Sequence, residues 1–329
     1  MLTLRENALA ILHGKQPDKY DDFMNAMQFL LDPIWLADRV PQDGEFHKDS
    51  WGVTKCFLPG APGPHPHITP ENIVCKNIEE WEKYVIAPDI DALDWTDARE
   101  QASQINRDEK FVGLFSATGI FERSHFLMGM EDAFCNYLEY PEEMTALINY
   151  LADWKIKGIY RAGEEVRPDV VFYQDDWGSK QNLFLPPAVW REIIKPATKR
   201  ISDAIHDIGA LYVHHADCYC QPIVEDMVEL GVDIWQGVIP ENDIVEIKRI
   251  TNNKLAMIGG IDVPYCDREN ATEEEIRSHV REKIDLYCPG GYFFPGLPSG
   301  ACLNAWNDSI CRDELDKYGR QWAQEHPVV

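Results

Sequence analysis

One short run of this 329-residue sequence, His214-His215-Ala216-Asp217-Cys218-Tyr219-Cys220, offers imidazole, carboxylate and thiol groups together. Those are the donor types that hold a metal ion or move protons. Upstream, Gln174-Asp175-Asp176-Trp177-Gly178 sets two carboxylates side by side, and downstream Gly259-Gly260-Ile261-Asp262 ends on another. Carboxylates among carboxylates have raised pKa values, which suits acid–base work or cation binding. Successive strand residues face opposite sides, so Asp175 and Asp176 cannot both look into one site. One is expected to face the reacting groups and the other to cap a turn or helix. His215, Asp217 and Cys218, with Cys302 arriving from a distant loop, form a candidate catalytic zinc set, three protein ligands with one position open being the usual arrangement. The competing reading packs Cys218 and Cys220 as small apolar residues and leaves His215 to hydrogen-bond a substrate or a carboxylate. Glu122, His125, Trp177, Gln236 and Asp262 are candidate substrate contacts. His65 and His67, in the Pro/Gly-rich stretch 57–67, read as surface-loop residues.

These groups make one site only if the elements carrying them converge. From about residue 110, apolar β-type runs at 111–115, 170–173, 211–214, 234–238, 255–258 and 292–294 alternate with amphipathic helical stretches at 131–138, 142–162, 187–208, 221–230, 243–250, 272–287 and 309–325. Short buried strands separated by helices pair in parallel through crossover connections. Six such units, with fainter ones before residue 110, predict an α/β fold: a single (β/α)8 TIM barrel over 1–329, with an irregular and helical N-terminal extension over about residues 1–70. Reactive groups of such barrels lie at the C-terminal ends of the strands. Each candidate group named after a β-type run lies at or just beyond such an end.

Composition narrows the function classes. The chain has 56 acidic against 31 basic residues, a net charge of −25, and no basic stripe, so nucleic acid would be repelled. No apolar run reaches the roughly 18 residues of a membrane span. Residues 1–6 pass straight into a helical pattern without the apolar block of a signal peptide, so a cytoplasmic setting is expected. Nine scattered cysteines then read as reduced thiols.

The strand ends resemble the uroporphyrinogen decarboxylase superfamily over about residues 70–310. The similarity rests on Gly119-Ile120-Phe121-Glu122 with Gly129-Met130-Glu131-Asp132, on Asp175-Asp176-Trp177-Gly178, on His215-Ala216-Asp217 with the segment 224–233, and on Gly259-Gly260-Ile261-Asp262. The resemblance implies a (β/α)8 barrel and chemistry of either porphyrinogen decarboxylation or methyl transfer. Two departures bear on the choice. The decarboxylases meet their substrate's carboxylates with an arginine-rich N-terminal segment, whereas residues 30–39 here hold only Arg39, so an octa-anionic tetrapyrrole would meet few cations. The zinc methyltransferases use a His-x-Cys pair and a distant cysteine. His215 matches their histidine, but Asp217 falls at the place of the first cysteine and Cys302 only near the second.

The closest group implied by the resemblance takes methyl from a small methoxy or methylamine compound and passes it to a corrinoid protein or a thiol. In that reading His215, Asp217 and Asp175 or Asp176 bind or polarise the substrate heteroatom, directly or through zinc. The corrinoid belongs to a partner protein, no corrinoid-binding segment being visible in the sequence. A second copy of the chain is a further candidate partner. Two alternatives stand beside it: a uroporphyrinogen-type decarboxylase, and a non-catalytic barrel that binds a small molecule or serves a corrinoid protein.

Overall fold

The computed structural model describes residues 1–61 and 63–328; Pro62, in the Pro/Gly-rich stretch, and Val329 lie outside the described residues. In chain order the strands are β1 (Met27–Phe29), β2 (Phe46–Lys48), β3 (Thr54–Cys56), β4 (His65–Pro66), β5 (Phe111–Ser116), β6 (Val170–Gln174), β7 (Leu211–His215), β8 (Ile234–Val238), β9 (Ala256–Gly260) and β10 (Phe293–Gly296). The apolar runs that alternate with helices pair as that alternation predicts. One sheet of seven parallel strands runs β1-β5-β6-β7-β8-β9-β10, with helices between its members, and β2-β3-β4 form a separate antiparallel sheet.

The large sheet curls until its edges approach. The Phe23 ring, just before β1, lies 5.3 Å from Phe111 of β5 and 5.3 Å from Phe294 of β10. This is an α/β, TIM-like barrel. Among the described residues its sheet contains seven strands, and the first of them, β1, comes from residues 1–70. Among the described residues, the segment between β1 and β5 adds no further parallel strand, for a physical reason. A barrel strand is buried on both faces, whereas β2 has both ends exposed and no buried residue.

Strand alternation divides the side chains into two sets. Phe29, Phe115, Phe172 and His215 stack with one another inside the sheet's curve, with ring centroids 5.4–5.7 Å apart. Tyr173, Tyr212 and His214 form a second cluster on the opposite, helix-covered face. The helix Pro141–Glu165 covers part of that face. Pro141 at its first turn, followed by Glu142 and Glu143, is a favourable start, because proline needs no donor there and acidic groups meet the positive end of the helix dipole. Its buried stripe includes Leu147, Ile148, Leu151, Ala152, Ile159 and Ala162, and also Lys155.

A buried ionic quartet docks the segment between β1 and β5 onto the barrel. Arg123, on the helix Ile120–Met128, reaches Asp49 at 2.9 Å and Asp38 at 2.6 Å. Lys55 of β3 reaches the same two carboxylates at 2.8 and 3.2 Å. All four side chains are buried, and the Arg123 guanidinium also lies over the Trp51 ring. Two cations against two carboxylates leave no net charge inside. Removing one member strands its partners, a loss of about 3–5 kcal/mol for buried pairs. Arg123→Met is therefore expected to lower the unfolding free energy by about that amount in urea denaturation at neutral pH. A loss below about 1 kcal/mol, the size typical of an exposed pair, would contradict the quartet's structural role.

Among the described residues no helix is long and apolar enough to cross a membrane.

Candidate functional site

The two adjacent aspartates after β6 separate as strand alternation requires. Asp175 points outward and is fully buried. It accepts from the backbone N–H groups of Phe121 (3.1 Å) and Glu122 (2.9 Å), from the Tyr173 hydroxyl (3.4 Å) and from the Trp177 indole (3.4 Å). The Tyr173 hydroxyl in turn accepts from Ile120 N–H at 2.8 Å. Together the two side chains satisfy the free donors at the start of the helix Ile120–Met128, which carries no side-chain cap of its own. The approach is so close that a Cβ at Gly119 would fall 2.2 Å from that of Asp175, so only glycine fits.

Asp176 turns the other way. Its carboxylate accepts from Asp217 N–H at 3.0 Å. With His215 and Asp217 it forms a group whose ligand atoms all lie within 4.8 Å of one another. His215 stacks on Phe172 and its Nδ1 is hydrogen-bonded to Gln236 Oε1. The group therefore sits at the C-terminal ends of β6 and β7, above an aromatic floor.

Burial sets the charge states around this group. It pushes Asp175 up to about 7 against its backbone donors. Asp176 is raised by burial and by Asp217, with His215 acting in the opposite direction. Glu122 is held well above the usual carboxylate range by burial, then by the charges of Asp176 and Asp175, and its Oε2 has no hydrogen-bond partner among the described residues. Burial lowers His125 to about 4 and His214 to about 3. Two carboxylates and an imidazole at this spacing are hard donors of the kind that hold a divalent cation. The residues present fit a metal with open coordination positions, with more oxygen and less sulfur than a cysteine-rich zinc site.

The remaining expected residues are placed as follows. Cys218 lies outside the group: its sulfur is 3.3 Å from that of Cys220, and that contact with burial raises its pKa. Cys302 pairs with Cys311, which raises its thiol far above the ordinary value, and its backbone N–H donates to Asp308. Trp177 is not free for substrate, because it is buried against His214 (3.9 Å between ring centroids) and Trp190. Asp262 turns to cap the helix Val263–Cys266, accepting from Tyr265 N–H at 3.0 Å. Both ends of the Gln236 amide are engaged by protein, on His215 and on the Pro298 carbonyl. His125 packs among Phe121, Phe126 and Phe134. Gly259 does mark a close backbone approach, with φ +140° and space for a Cβ only 2.5 Å from the Val238 oxygen.

Two buried groups behind β5 escaped the reading from sequence. Lys155, lowered to about 8 chiefly by burial, donates to Ser116 and Ala117 at 3.3–3.5 Å. Asp32, raised by burial to about 6, keeps one carboxylate oxygen unpartnered among the described residues. A lysine inside the apolar stripe of the helix Pro141–Glu165 was the available signal; Asp32 had none beyond its place as a helix cap.

An α/β barrel with carboxylates and an imidazole gathered where its parallel strands end is the architecture of a barrel with its reactive groups at the C-terminal mouth. The chain belongs to the uroporphyrinogen decarboxylase family, whose model matches residues 71–295. The solved structure of a methyltransferase from Methanosarcina mazei shares the fold, with a TM-score of 0.65 at 14% identity, over 97% of this chain and 99% of that one. A structure of xylanase B from Clostridium stercorarium F9 aligns over 63% of this chain and 72% of that one, at 14% identity and a TM-score of 0.37. No curated protein matches the chain.

His214 gives the helix-covered side of the site a pH signature. Its imidazole is buried, binds a proton far less readily folded (about 3) than at its ordinary 6.5, and so disfavours folding in acid. The stability it contributes is complete above pH 6.5 and is lost as the pH falls toward its folded value. His214→Phe, which keeps a ring against Trp177, should flatten the decline of unfolding free energy between pH 6.5 and about 4 by roughly 1.4 kcal/mol per pH unit. Urea titrations at a series of pH values measure this, and identical slopes for the two proteins would refute it.

Proposed function

We propose that the chain is a methyltransferase that moves a methyl group from a small methoxy or methylamine compound to a corrinoid protein or a thiol. The observation that carries this reading is the Asp176–His215–Asp217 group at the barrel mouth, a set of hard donors suited to an electron-rich heteroatom or a cation. Phe172 beneath His215, with Phe115 and Phe29 behind it, gives a dry apolar floor beside those donors. Asp176, His215 and Asp217 would hold a divalent metal, zinc being the candidate, which when bound supplies Lewis-acid polarisation of the heteroatom that carries the methyl group.

The chain's own groups do the rest. Asp217 N–H fixes the Asp176 carboxylate, and Gln236 fixes the His215 ring, so the donors are oriented before substrate arrives. The methyl carbon goes to the nucleophile while the heteroatom keeps the bonding pair and is neutralised by a proton or by coordination. The corrinoid in this reading is carried by the partner protein. The fold shared with the Methanosarcina mazei methyltransferase is compatible with it.

Electrostatics disfavour a tetrapyrrole polycarboxylate as the substrate. Arg123 and Lys55 are committed to Asp38 and Asp49, Lys155 lies behind β5, and the mouth presents carboxylates. An octa-anion would meet repulsion there.

Elemental analysis of the purified protein, paired with a methyl-transfer assay using reduced cobalamin as acceptor and a panel of aryl methyl ethers and methylamines, tests the proposal. Bound zinc or another divalent metal is expected, lost in His215→Ala and Asp217→Ala along with methylcobalamin formation. A metal-free, fully active protein would remove the metal from the mechanism. Turnover of a porphyrinogen without methyl transfer would overturn the reading itself.

A further inference from the structure

Gln236 ends a line of hydrogen bonds in which each polarity is dictated by the one before. The amide is buried, and it touches a carbonyl at one end and an imidazole at the other. The Pro298 carbonyl can only accept, so the Gln236 atom 3.1 Å away must be the Nε2 donor. That choice turns Oε1 toward His215. An amide oxygen can only accept, so His215 Nδ1 must carry the proton. The neutral ring then has its lone pair on Nε2, the nitrogen not bonded to Gln236.

The backbone around Gln236 is built to aim it. The pairing of β8 with β9 shifts register between Gln236 and Val238, and the intervening Gly237 has φ +96°. A bulge of this kind redirects the side chain beside it. A Cβ on Gly237 would lie 3.1 Å from the Ala216 carbonyl carbon and oxygen, so the bulge packs directly on the residue between His215 and Asp217. Ala216 N–H donates to the Gln236 carbonyl at 3.0 Å, which ties the two strand ends together.

We propose that Gln236 is a positioning residue that sets the His215 tautomer, leaving the Nε2 lone pair as the one available to a ligand, and that it is itself set by the loop that follows β10 through the Pro298 carbonyl. This goes beyond assigning the group's ligands, and only its metal-affinity part rests on the proposed function. Groups that accept the second ring N–H of a ligating histidine fix its orientation and basicity, and their loss costs about 10–100-fold in metal affinity.

Two measurements test it separately. The first uses the unmodified, metal-free protein: two-dimensional 1H–15N correlation of the histidine rings, with His215→Gln to assign the signal, reports which nitrogen is protonated. The neutral ring is expected in the Nδ1–H form, and a dominant Nε2–H form overturns the proposal whether or not the protein uses a metal. The second compares zinc affinity, by competition with a chromophoric chelator, in Gln236→Leu and Gln236→Glu. The leucine variant matches the side chain's size without accepting from Nδ1–H and should bind zinc about 10–100-fold more weakly. The glutamate variant keeps the acceptor toward Nδ1–H but loses the donor to the Pro298 carbonyl, and should bind zinc more tightly than the leucine variant. Equal weakening in both variants, with the native fold retained by circular dichroism, would mean that Gln236 does not act by accepting from the His215 ring. If the parent binds no zinc, the metal reading fails while the tautomer measurement still decides the inference.

Discussion

Asp175 is a carboxylate with no solvent contact, and four donors from three kinds of group converge on it: two backbone amides, a phenol and an indole. Hiding that oxygen pair from water is costly, and the helix Ile120–Met128 offsets the cost because its first amides would otherwise be buried without acceptors. The consequence reaches past the helix. With Asp175 held on the outer face, the strand's alternation leaves Asp176 no choice but the inner one, where Asp217 N–H waits for it. The same anchor fixes Glu122 beside Asp176. The geometry of the mouth is thus inherited from an interaction on the other side of the sheet.

Charge is distributed in a similarly divided way. The structure spends buried cations where they hold the β1–β5 segment in place, at Arg123 and Lys55, and leaves the mouth to carboxylates and one imidazole. A chain with net charge −25 could have scattered its positive groups over the surface. Placing two of them inside instead costs desolvation and returns a defined docking geometry.

Much of this was legible in the sequence because period-two and period-3.6 patterns are local. The strands from β5 onward and their helices followed from apolar spacing, and the division of labour between Asp175 and Asp176 followed from alternation, though not which took which role. That assignment needed Gly119, whose meaning appears only when a strand and the next helix are packed together. The cysteines show a related limit: Cys218 and Cys302 stand at positions where ligands were expected, each sulfur lies against another cysteine, and side-chain direction after a strand end is not periodic. β1 was hidden because three residues are too few to show a pattern. Gln236 was visible as a polar strand residue, but its partners, His215 and Pro298, come from elements distant in sequence.

Phe23 deserves a last consideration as a matter of timing. It precedes the first barrel strand, yet one of its two aromatic ring partners is Phe294 of the last. During synthesis the segment at Phe23 must therefore wait until residue 294 is made before this partner exists. Until then the growing sheet has an open parallel edge at β1 and another at whichever strand has just formed, and such edges invite pairing with other chains. A seam between segments about 270 residues apart in sequence is a contact of long sequence separation, the kind that slows folding.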